Sequence, residues 1–123
     1  MPTVLMIEDE PSNHEVVARL LSRQGYTVLF AQTGAQGLAL AQAHLPDLVV
    51  TDIGLPDMSG HTLIYRLKHA PETGHIPVMA LTAYALQEDR QAAADAGCDA
   101  FEAKPIDLAR WLGTIQALLA REV

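Results

Sequence analysis

Five short apolar runs recur along the chain: "TVLMI" (3–7), "TVLFA" (27–31), "LVVTD" (48–52), "PVMALT" (77–82) and "AFEAK" (100–104). Each has strand length, and helical spacing fills the intervals between them. Apolar residues recur at Val16, Val17, Leu20 and Leu21, at Leu38 and Ala41, at Leu63, Ile64 and Leu67, and at Leu108, Trp111, Leu112, Ile115, Leu118 and Leu119. The fourth interval, "LQEDRQAAADAG" (86–97), is poor in large apolar residues and predicts a helix held by little burial. The order is β-α, five times over. Strands that are apolar on both faces need cover on both sides, and right-handed crossovers put helices there. The expected fold class is therefore α/β, a doubly wound (βα)5 domain with a five-stranded parallel sheet. In such sheets, ligands bind beyond the carboxyl ends of the strands.

Local signals mark the helix ends. Ser12 with Glu15, and Thr33 with Gln36, match the capping box. Gly25 and Gly97 follow the first and fourth helical segments, where glycine closes a helix in a left-handed conformation. A chain of 123 residues, half of them hydrophobic and 19% charged, fits one domain spanning 1–123, with no separate output domain expected in it. The net charge of −7 would repel a phosphate backbone, so direct nucleic-acid binding is not expected. No apolar run has the length of a membrane span, and "MPTVLMIEDE" lacks the features of a signal peptide, so a cytoplasmic location without membrane attachment is expected. Cys98, the single cysteine, reads as a small core residue.

Chemistry collects just past the strands. Glu8, Asp9 and Glu10 follow the first, Asp52 ends the third, Thr82 ends the fourth, and Lys104 and Pro105 follow the fifth. Two carboxylates about 5 Å apart repel by roughly 3 kcal/mol at an effective dielectric near 20, so several acids beside one lysine call for a divalent ion. Oxygen-only ligands favour magnesium, with manganese able to substitute. With such charge compensation Asp52 can act as a nucleophile toward phosphorus, Lys104 offsetting charge on the transferring group and Thr82 donating to one of its oxygens. Gly54 is expected to let the backbone turn so that its carbonyl faces the metal, and Pro56 to stop the strand. Glu10 reads as a helix-start acid, Asp57 as a solvated loop residue, and the histidines His14, His44, His61, His69 and His75 as surface residues.

Taken together, "IEDE", "TDIGLPDMSG", "ALTAYA" and "FEAKP" in this order and spacing resemble the receiver domain of two-component response regulators, over essentially the whole chain. The resemblance implies strand order 2-1-3-4-5. It makes Asp52 the phosphoacceptor, supplied by a phosphohistidine on a histidine kinase or a histidine phosphotransfer protein. It makes Glu8, Asp9, Asp52 and the backbone carbonyl of Gly54 the magnesium ligands, Thr82 the switch hydroxyl, Lys104 the phosphate-pairing lysine and Phe101 the switch aromatic. It also implies a cis bond between Lys104 and Pro105. Phosphorylation would draw Thr82 inward, let Phe101 follow, and alter the face formed by the fourth helix and the fifth strand and helix, through which a downstream protein or a second copy binds. Phe101 has no hydroxyl, so its coupling must rest on packing.

Other functions compete with this one. A flavin module of the same fold class needs a hydroxyl- and glycine-rich first loop, and here that loop is "EDEPSN". An aspartyl phosphatase uses a second acid two residues after the nucleophile, and that place is Gly54. The remaining alternatives are a phosphorylation-independent interaction module of the same fold and a receiver cut from a hybrid histidine kinase. The start at Met1 favours a free-standing regulator.

Overall fold

Strands β1 (Thr3–Ile7), β2 (Thr27–Ala31), β3 (Leu48–Asp52), β4 (Val78–Thr82) and β5 (Ala100–Ala103) alternate with helices α1 (His14–Arg23), α2 (Gly34–His44), α3 (Gly60–His69), α4 (Gln87–Ala96) and α5 (Leu108–Ala120). The computed structural model describes residues 2–9, 14–82, 87–104 and 107–120. All four strand pairings are parallel, and the order is β2-β1-β3-β4-β5. The five expected strands and the expected order are all present, with β4 beginning one residue after Pro77.

Successive strand side chains point to opposite faces, and the core divides accordingly. Leu5 and Ile7 of β1, Val49 of β3, and Val78 and Ala80 of β4 pack on one face against Ala41 of α2, Leu63, Ile64 and Leu67 of α3, and Ala93 and Ala96 of α4. Val4, Met6, Leu48, Val50, Met79 and Leu81 pack on the other against Val17 and Leu21 of α1 and Trp111, Ile115 and Leu118 of α5. Both faces of the inner strands are therefore dry, which is why they read as unbroken apolar runs. As expected, α4 brings only small side chains to the core.

The helix stripes are narrower than the sequence pattern suggests. Val16 is 57% exposed and Leu108 46%, because each lies at the margin of its helix's buried arc. Thr33 caps α2 by accepting from the Gln36 amide, while the Gln36 side chain accepts from the Gln32 amide, one residue before the position that an ideal capping box would use. Gly25 and Gly97 take the positive φ expected of them, at 84° and 107°. Ser12 lies outside the described residues. Among those described, no helix is long and apolar enough to cross a membrane.

Candidate functional site

The register of the sheet brings together residues that are distant in sequence. After β1, the Glu8 amide donates to the Ala31 carbonyl (2.9 Å), extending the ladder by one bond and pulling Glu8 in until its side chain is 5% exposed. Asp52 stands beside Leu81, and Thr82 stands beside Ala103. The Lys104 amide donates to the Thr82 carbonyl (2.7 Å), so the lysine leaves β5 aimed along the sheet edge. Two strand spacings, roughly 10 Å, separate β5 from β3, a span that a lysine and an aspartate close together. Lys104 Nζ lies 2.8 Å from Asp52 Oδ2 and 3.4 Å from Glu8 Oε1. Burial works against the charge on this ammonium, but the hydrogen bond and charge of Asp52, aided by Glu8, outweigh it and hold Lys104 above its ordinary pKa. Thr82 is buried between them in the strand order, and Asp9 is exposed at the rim.

The segment after Asp52 is tied down at its base. The Ile53 amide continues the ladder to Leu81 (2.9 Å), Gly60 donates to the Ile53 carbonyl (2.7 Å), and Gly54 pairs with Ser59 in an isolated antiparallel bridge. Ser59 caps α3. At Gly60 a Cβ would stand 2.5 Å from Ile53 Cα and 2.6 Å from the Asp52 carbonyl oxygen, so only glycine lets α3 begin this close to the end of β3. Gly54 is different from what was expected. Its φ is not in the left-handed region and an added Cβ would meet nothing within 4 Å, so the turn itself does not require glycine there. The Gly54 amide also reaches back to Asp52 Oδ1 (3.3 Å).

Asp57 and His14 make contacts that local sequence did not foresee. Asp57 is exposed, yet it is tied rather than merely solvated: Oδ1 accepts from the Gly34 amide (2.8 Å) and Oδ2 from the Ala35 amide (2.9 Å). Those bonds, the one from Ala35 first, hold its carboxyl below the usual pKa. His14 is half-buried, stacked on Phe30 with ring centroids 4.2 Å apart, and its Nε2 lies 3.2 Å from the Glu8 carbonyl. Local spacing cannot reveal either contact, because the partners of Asp57 lie on α2 and the His14 ring meets β2.

Phe101 is half-buried against the face covered by α2, α3 and α4, and the Arg90 guanidinium of α4 lies 4.8 Å above its ring centre. A cation over the ring face adds attraction that the missing hydroxyl cannot supply. Glu10 and Pro105 lie outside the described residues, and with Pro105 the expected cis bond.

Among the described residues, no three His, Cys, Asp or Glu side chains form a group that would hold a metal unaided. Lys104 stands between Glu8 and Asp52, and Asp9 is exposed, so the side chains by themselves do not close a coordination sphere. The chemistry of the donors nonetheless fits a hard dication: Glu8, Asp9 and Asp52 offer only oxygen, and one ammonium against three carboxylates leaves two negative charges.

The sequence model of the response regulator receiver domain matches residues 4–116. The chain belongs to that family. The receiver is 37% identical over 117 residues to the polar-differentiation response regulator DivK of Brucella ovis, covering 95% of each chain. Its fold is similar to that of the chemotaxis response regulator CheY4 of Vibrio cholerae, with a TM-score of 0.89, 27% identity, and 96% of this chain and 98% of that one covered. It is also similar to the receiver domain of a sensor histidine kinase from Pseudomonas aeruginosa, whose structure has a magnesium ion coordinated in the active-site cleft. There the TM-score is 0.88 at 29% identity, covering 97% of this chain and 98% of that one.

Proposed function

We propose that residues 1–123 act as one phosphoacceptor receiver unit of a phosphorelay, with Asp52 taking a phosphoryl group from a phosphohistidine of a histidine kinase or histidine phosphotransfer protein. The observation that carries this reading is the Lys104 ammonium, 2.8 Å from the Asp52 carboxylate at the carboxyl edge of the sheet, with Glu8 on its other side. In the transfer, an Asp52 carboxylate oxygen forms a bond to phosphorus as the phosphorus–nitrogen bond of the donor breaks, and the departing imidazole keeps the electron pair and takes up a proton. Lys104, held cationic by its acidic neighbours, turns toward the phosphoryl oxygens and balances their charge. Thr82 at the end of β4 would donate its hydroxyl to one of them. Glu8, Asp9, Asp52 and the Gly54 carbonyl would hold magnesium, or manganese in its place, which when bound neutralises the remaining negative charge of the site.

The output is a change of partner. The phosphoryl group recruits Thr82, Phe101 moves out from under Arg90 toward the space released, and the surface of α4, β5 and α5 presents a different face to a downstream protein or a second copy. Weak burial of α4 supports this, because a helix anchored by Ala93 and Ala96 shifts at small cost. We place this signalling in the cytoplasm, acting on proteins rather than on nucleic acid or a membrane. Incubation with magnesium and a small phosphodonor, followed by intact-mass measurement, tests the reading. The wild type should gain one phosphoryl group and Asp52→Ala none; an Asp52→Ala protein that still gained one would overturn the assignment.

A further inference from the structure

The phosphoacceptor loop is held at its tip as well as at its base. Both oxygens of Asp57 are spent on α2, reaching amides 23 and 22 positions earlier in the chain. Thr33, the local cap of α2, satisfies the amide of Gln36, so Asp57 takes the first two amides of the helix and Thr33 the third. Amides at a helix start carry partial positive charge and bond an ionised carboxylate strongly. The Met58 side chain lies on the same spot. A Cβ on Gly34 would come within 2.5 Å of Met58 Cγ and 2.7 Å of its sulfur, so the absence of a side chain there is what seats the loop.

With the base closed by the Gly54 to Ser59 bridge and the tip clamped to α2, the segment from Ile53 to Ser59 has little freedom. Gly54 is held at the base by the bridge to Ser59 and by its amide on Asp52 Oδ1, has no side chain to wedge it further, and lies three residues before the tip clamped on α2. We propose that Asp57 is a positioning residue, which by clamping the loop tip to the first turn of α2 fixes the Gly54 carbonyl beside Asp52 and so sets the affinity of the acidic site for a divalent cation. This rests on the receiver reading above, and it adds a link from α2 to the metal site.

Calorimetric titration with magnesium chloride tests it on the full chain, comparing wild type, Asp57→Ala, Asp57→Asn and Thr33→Ala. Asp57→Ala should weaken magnesium binding at least fivefold, and Asp57→Asn, which keeps one acceptor oxygen, should recover part of that loss. Thr33→Ala removes a cap from the same helix without touching the loop, and should bind magnesium as the wild type does despite lower thermal stability. Wild-type affinity in both Asp57 variants, or an equal loss in Thr33→Ala, would overturn the clamp. Wild-type phosphoryl uptake separates the two readings: uptake together with unchanged Asp57 variants sinks the clamp alone, whereas no magnesium binding and no uptake by the wild type sinks the receiver reading and the clamp with it.

Discussion

Lys68 and Lys104 each meet an aspartate at the sheet, one at the end where β4 and β5 begin and the other at the end where they finish. At the first end, Lys68 Nζ donates to Asp99 Oδ2 (3.1 Å) and to the Ile76 carbonyl (3.0 Å), while the same Asp99 oxygen accepts from the Val78 amide (2.8 Å). One positive charge faces one negative charge, with backbone groups serving both. At the second end a single ammonium bridges Asp52 and Glu8, with Asp9 at the rim. Both pairs are about equally enclosed, with side-chain exposures of 18% and 20% at the first and 26% and 13% for Lys104 and Asp52 at the second. Burial therefore does not tell the two pairs apart. Charge balance does: the first cluster is closed, and the second is left with negative charge that suits a dication, without which an anionic phosphoryl group would be repelled.

If that contrast is right, the two lysines fail in different assays. Lys104→Ala should slow phosphoryl uptake roughly a hundredfold, the usual scale for losing one charge-stabilising donor, while the fold persists. Lys68→Ala should leave uptake unchanged and lower unfolding stability by about 2 kcal/mol in a denaturant titration, since it strands the partly buried Asp99 carboxylate. Exchanged phenotypes would break the comparison. Of comparable size, magnesium at a hundredfold excess over its Kd should stabilise the wild type by about 2.7 kcal/mol, an effect reversed by a chelator and absent in Asp52→Ala. A smaller effect follows from pH. Because the Lys104 pKa is raised in the folded state, its contribution to stability is complete below the ordinary lysine value of about 10.4 and is lost as pH rises through the raised value. The stability gap between wild type and Lys104→Met should therefore shrink on that alkaline limb and stay constant between there and neutral pH. The smallest change lies away from both lysines: Leu45, which closes α2 at φ 47°, should tolerate Leu45→Gly with a gain of up to about 1 kcal/mol and no effect on uptake.

The strands were legible because a parallel strand buried on both faces has no alternative to a continuous apolar run, and their ends were legible because charge cannot continue into such a core. Hence Glu8, Asp52, Thr82 and Lys104 could be named before any contact was seen. Helix α2 was harder to read. Its buried face is Gly34, Gly37 and Ala41, and a Cβ on Gly37 would stand 2.5 Å from Ile7 Cδ1, so the helix packs by lacking side chains rather than by presenting an apolar stripe. Asp57 is solvated as expected, but its contacts with α2 were hidden for a related reason. An acid after proline in a loop resembles a solvated turn, and only the tertiary fold brings the start of α2 to it. The Arg90 contact with Phe101 is equally invisible locally, since α4 and β5 meet through a turn at Gly97.

Chemical trapping directly tests whether Asp52 carries the transferable phosphoryl group. After incubation with magnesium and a phosphodonor, borohydride reduction converts an aspartyl phosphate to homoserine, which peptide mass spectrometry can locate. Homoserine at position 52 is the predicted result; homoserine at Asp9 or Asp57, or at no aspartate in a protein that has gained a phosphoryl group, would contradict it.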